Sequence, residues 1–128
     1  MEALTSKLIT AGILALLTLI TGMIVSRSGR PLNIWLVTIH KMIAVGTVVL
    51  VVMAVNQLYK TADGKMLVTI GIMAISAILV LALIATGAFL TREEMELPAF
   101  VLKIHQVVPL LALASSSLTI YLLLQNKG

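Results

Sequence analysis

Residues Met66 to Thr91 read MLVTIGIMAISAILVLALIATGAFLT, an apolar run without one charged side chain. A helix needs roughly 20 predominantly apolar residues to cross the hydrocarbon core of a bilayer, and this run supplies them between polar flanks. Three further stretches read the same way, so helices are predicted at about 6–26, 33–58, 66–91 and 98–125 of the 128 residues. Composition agrees: the chain is 60% hydrophobic and 11% charged, with a mean hydropathy of +1.14, far from the balance of a water-soluble domain.

The breaks are short and polar. Ser26-Arg27-Ser28-Gly29-Arg30-Pro31 is the first, Tyr59-Lys60-Thr61-Ala62-Asp63-Gly64-Lys65 the second, and Thr91-Arg92-Glu93-Glu94-Met95-Glu96-Leu97 the third, closed by Pro98. Links of this length make neighbouring helices antiparallel. The first apolar stretch, Leu8 to Val25, is preceded by Glu2 and carries no Ala-x-Ala-like cleavage site, so it reads as a retained span rather than a signal peptide. The fold class expected is an all-α membrane protein, a four-transmembrane-helix bundle forming one domain over residues 1–128.

Shifted by 65 residues, the chain matches itself without a gap. Ile13-Leu14 falls on Ile78-Leu79, Leu16 on Leu81, Thr21-Gly22 on Thr86-Gly87, Arg27 on Arg92, Leu32 on Leu97, and Ile39-His40 on Ile104-His105. Apolar coincidences are common in such a chain, but Thr-Gly, Arg and Ile-His share the one offset. We read a duplication, with repeat 1 at about 1–62 and repeat 2 at about 66–128. Tandem hairpins enter a membrane in the same orientation, which predicts a pseudo-two-fold axis along the membrane normal.

The repeat makes the chain's two histidines equivalent. His40 lies early in the second helix and His105 early in the fourth, at one depth, roughly 10–12 Å inside the polar break at 1.5 Å per residue. Ionisable groups at such depth are costly and mark function by default. Two imidazoles facing across an axis suit one haem b, the iron taking a nitrogen from each side as an axial ligand. Gly22 and Gly87 reach a similar depth and would let a flat macrocycle approach the backbone. Haem propionates need cations: Arg27, Arg30 and Arg92 stand on the histidine side, and Lys41 adjoins His40. Lys103 lies about 200° around its helix from His105 and is expected to face lipid or a neighbouring helix.

Four helices with a histidine at matching depth in the second and fourth, and Thr-Gly preceding Ile-His in each half, resemble the four-helix b-type cytochromes of the cytochrome b561 type. They also resemble one half of haem A synthase. That resemblance implies bis-histidine ligation, here by His40 and His105; iron held by two histidines has no open coordination site, so the expected function is single-electron transfer with quinol, superoxide or a partner protein. Cytochrome b561 proteins usually bind two haems with four histidines, whereas this chain has ligands for one. Only the ligation geometry is carried over.

Other readings stand beside these. The histidines can be a structural pair hydrogen-bonded across helices, and the glycines ordinary packing positions. Pro109 should kink the fourth helix one turn below His105, because it removes a hydrogen bond to that residue's carbonyl. Glu93, Glu94 and Glu96 read as a solvated loop, and Ser115-Ser116-Ser117 as residues bonding back to their own helix. The alternative function is a non-haem membrane subunit, scaffold or small transporter, although proton-coupled transporters use an acid within a helix and every Asp and Glu here lies at a terminus or in a loop. The chain has no cysteine, which removes disulfides and thiolate metal sites. The formal charge of +4 is scattered rather than gathered into a nucleic-acid footprint. Lys7, Lys60, Lys65 and Lys127 on one side balance Arg27, Arg30, Arg92, Lys41 and Lys103 on the other, so orientation stays open. So does the choice between a monomer, a homo-oligomer and a larger complex.

Overall fold

A computed structural model of the chain describes residues 2–29, 31–62, 67–92 and 96–125. It is an all-α four-helix bundle: α1 (Glu2–Arg27), α2 (Ile34–Thr61), α3 (Leu67–Leu90) and α4 (Ala99–Gln125). All four are long and apolar enough to cross a membrane. Arg30, Asp63, Gly64, Lys65, Met66, Glu93, Glu94, Met95 and Lys127, named above from the sequence, lie outside the described residues.

Local chemistry sets the helix ends. α1 begins at Glu2, earlier than the apolar run alone predicts, with a carboxylate in the first turn where the helix dipole favours negative charge. Its other end stops at Gly29, whose φ of 71° is a left-handed conformation that glycine adopts without a Cβ penalty. Asn33 caps α2, its side chain accepting from the backbone N–H of Trp35 at 2.9 Å and of Leu36 at 3.4 Å. At the far end of α2 the Thr61 hydroxyl lies 3.1 Å from the Leu58 carbonyl, and the helix runs on past the predicted 58. Pro98 sits just before α4 and offers its carbonyl to the Val101 N–H at 3.1 Å. Pro109 lies within α4, which continues through it.

The packing is uneven. α1 packs along α2, and α3 along α4; the two hairpins meet chiefly through α2 and α4. One cluster closes the bundle at the end nearer the chain termini, formed by Leu4, Ala54, Leu58 and Leu123 with Leu8, Val55, Tyr59, Ala62 and Ile120 against them. Every fully buried residue described, including Ala11, Thr69, Ala112 and Thr119, lies at mid-bundle or on that side. The histidine half has no fully buried residue among those described.

The apolar side chains face outward. Ile9, Leu16, Val52, Ile78, Leu81 and Leu110 are all more than half exposed, and none of the helices carries the polar stripe that a water-facing helix needs. The accessible surface is 8330 Å², against roughly 6,600 Å² for a compact water-soluble chain of 13.7 kDa. Hydroxyl contacts join the helices inside each hairpin: Thr18 and Thr47 at 3.2 Å in the first, and Ser76 donating to Ser115 at 2.9 Å in the second.

Candidate functional site: two facing histidines

His40 and His105 each stand six residues beyond the first residue of their helix, Ile34 and Ala99. At about 1.5 Å per residue both lie near 9 Å from those ends. The contact of α2 with α4 brings the rings together, with centroids 6.4 Å apart and planes at 77°. Both side chains are partly buried.

Each ring is seated by its own hairpin in the same way. The Thr21 hydroxyl oxygen lies 3.0 Å from His40 Nδ1, and the Thr86 hydroxyl oxygen 2.8 Å from His105 Nδ1. The next residue in each case is the glycine of the Thr-Gly pair. A Cβ placed on Gly22 would meet His40 Cε1 at 3.0 Å, and one on Gly87 would meet His105 Cε1 at 3.2 Å. The space these glycines leave is filled by the imidazole edge. In both rings the bonded nitrogen is Nδ1, which leaves Nε2 for a further partner.

Two longer side chains cross between hairpins one residue beyond the histidines. Lys41 Nζ donates to the Thr91 hydroxyl at 3.1 Å, and Gln106 Nε2 donates to the Ser26 hydroxyl at 2.9 Å. Lys41 and Gln106 are equivalent under the 65-residue shift, and so are Ser26 and Thr91. Each contact is therefore the counterpart of the other with the repeats exchanged, as self-complementary contacts about a two-fold axis would be. Lys41 extends toward the loop-side surface. Arg27 in the last turn of α1 and Arg92 just past α3 are exposed on that same surface, as is Lys103 further along α4.

Of the residues singled out from the sequence, His40, His105, Gly22 and Gly87 thus form one cluster. Lys41, Arg27 and Arg92 are exposed toward the loop side and form no hydrogen bond with either ring, and Arg30 lies outside the described residues. The sequence reading did not assign roles to Thr21, Thr86, Ser26, Thr91 and Gln106. The 65-residue offset held the signal, since Thr21 matches Thr86 and hydroxyls match at Ser26 and Thr91.

Among the described residues no three or more His, Asp or Glu side chains gather as a metal-binding group. A protein-only zinc site takes at least three such ligands, and the described residues do not form one. Two imidazoles suffice only where the rest of the coordination sphere comes with the metal, as in a porphyrin. Compared with known proteins, the chain matches no family model, no curated protein and no solved structure.

Proposed function

We propose that the chain is a multi-pass integral membrane protein and a b-type cytochrome that binds one haem through His40 and His105. The observation that carries this reading is the 6.4 Å between ring centroids. A metal–imidazole bond is about 2 Å, and the coordinating nitrogen lies roughly 1 Å from its ring centre, so two axial imidazoles on one metal stand about 6 Å apart, centroid to centroid. The separation fits. The 77° between the planes suits ligands that each rotate about their own metal–nitrogen bond.

The membrane reading rests on four apolar helices that expose their large side chains, since lipid is the solvent in which that surface is favourable. The loose packing of the histidine half is consistent with an occupant between α2 and α4. The counterpart contacts of Lys41 with Thr91 and Gln106 with Ser26 support two hairpins related by a pseudo-two-fold axis.

A haem so ligated supplies a one-electron centre with both axial positions taken, which favours electron transfer over gas binding. The residues of this chain would hold the ligand rings, keep them in lipid, and set cations at the loop-side surface. Arg27, Arg92 and Lys41 are described cations on the loop side that could meet acidic haem substituents, and Arg30 belongs to the same set by sequence. Quinol, superoxide or a partner protein would exchange the electron. The test is the visible spectrum of the protein purified after expression with ample haem. The expected result is a b-type Soret band with split α and β bands on reduction, lost in both His40→Ala and His105→Ala. A colourless protein would overturn the proposal.

A further inference from the structure

The hydroxyls of Thr21 and Thr86 do more than touch the imidazoles. A threonine hydroxyl carries one proton and two lone pairs, and a backbone carbonyl only accepts. Thr21 Oγ1 lies 2.8 Å from the Leu17 carbonyl oxygen and 3.1 Å from that of Thr18. Thr86 Oγ1 lies 2.8 Å from the Ala82 carbonyl oxygen and 3.2 Å from that of Leu83. With the hydroxyl proton directed at its own helix, what each threonine presents to the ring is a lone pair. The ring nitrogen that meets it, Nδ1, must then carry the proton.

We propose that Thr21 and Thr86 are positioning residues that hold His40 and His105 in the Nδ1–H tautomer, leaving both Nε2 lone pairs bare for one shared electrophile. The reverse arrangement, hydroxyl donating to Nδ1, would move the ring proton to Nε2. Both rings meet their threonine through Nδ1, and the Thr18 backbone carbonyl, which can only accept, is a second hydrogen-bond partner of the His40 ring. At His105, an Nε2–H in an apolar surrounding would stay unpaired, which is costly. With the proton on Nδ1, both the hydroxyl and the ring donor are satisfied.

The consequence concerns the pair. Two imidazoles that both lack a proton on Nε2 cannot hydrogen-bond to each other through those nitrogens, so a direct structural histidine pair is disfavoured. What such an arrangement accepts is a cation or a metal centre. Partners on the outer nitrogen also fix ligand orientation and raise ligand basicity. For the haem, this part of the inference rests on the cytochrome reading; the tautomer itself does not.

The test uses full-length protein labelled with ¹⁵N-histidine in lipid nanodiscs, prepared without haem, and reads the imidazole nitrogen shifts. Both histidines are expected as the Nδ1–H tautomer. Thr21→Val should abolish that signature for His40 alone, Thr86→Val for His105 alone, and Thr21→Ser and Thr86→Ser should retain it. An Nε2–H form at either histidine in the unmodified protein, or an unchanged tautomer in the valine variants, would overturn the proposal. Haem-loaded protein gives the second readout: the midpoint potential should rise in each valine variant, as the ligand loses basicity, and return in each serine variant. A protein that shows the tautomers but takes up no haem would refute the cytochrome reading and leave this one standing.

Discussion

Gly22→Ala puts a methyl group against the His40 ring, and its effect can be worked from competing terms. In an exposed helix interior, replacing glycine by alanine stabilises by about 1 kcal/mol, because the unfolded chain loses backbone freedom. At Gly22 the new Cβ would lie 3.0 Å from Cε1, 3.5 Å from Nδ1 and 3.6 Å from Nε2 of His40, whereas carbon atoms rest about 3.5–4.0 Å apart. The ring must move by half an ångström or so, and it is tied to Thr21 at 3.0 Å. Overpacking of this kind costs about 1–3 kcal/mol, and loss of the hydrogen bond a further 0.5–1.5 or so. The net expectation is a loss of about 0.5–3.5 kcal/mol, centred near 2. Gly87→Ala, with its nearest approach at 3.2 Å, should come out milder. Gly12→Ala and Gly71→Ala, where nothing lies within 4 Å, should be neutral or stabilising. Reversible unfolding of the haem-free protein in mixed detergent micelles measures all four. If Gly22→Ala proved as stable as Gly12→Ala, the seat assigned to the imidazole would be wrong.

Three other perturbations probe the rest of the bundle. Leu58→Ala removes a side chain only 1% exposed from the closed end, and should cost about 2–5 kcal/mol in the same unfolding assay, far more than truncation of the outward-facing Leu81. Ser76→Ala breaks the contact with Ser115 inside the second hairpin; helix-spanning hydrogen bonds of this type average about 0.6 kcal/mol, so the loss should be small and should not add to that of Ser115→Ala. A double-mutant cycle of Lys41→Met with Thr91→Val should return a coupling of about 0.5–1.5 kcal/mol, while Lys41→Met with Ser26→Ala should return none, because Ser26 takes its hydrogen bond from Gln106.

The helices were legible because a bilayer demands long apolar runs and the polar breaks between them are unmistakable. Their ends were less so: α1 reaches back to Glu2 and α2 forward to Thr61, since a first-turn carboxylate and a terminal hydroxyl extend a helix beyond what hydropathy registers. The histidines were found by the repeat, which also flagged Thr-Gly as a unit. What the glycine and threonine do was not legible, because the distance between adjacent helices decides whether a missing Cβ admits a macrocycle or an imidazole edge. At both positions it is the imidazole edge that occupies the space. Lys41 was read by its position beside His40, yet its amine reaches Thr91 on the other hairpin. A contact between residues that far apart in sequence follows from how α2 meets α4, which no local pattern encodes. The thinness of packing around the histidines is equally a property of the assembled bundle.

The proposed cytochrome depends on His40 and His105 together ligating a single haem. Titration of haem into the haem-free protein in nanodiscs, followed by low-temperature electron paramagnetic resonance of the oxidised complex, tests it most directly. The expected result is saturation at one haem per chain with a low-spin bis-imidazole signal, and loss of that signal when either histidine is replaced. Saturation at any other ratio, a high-spin signal, or a low-spin signal that survives His105→Ala would contradict it.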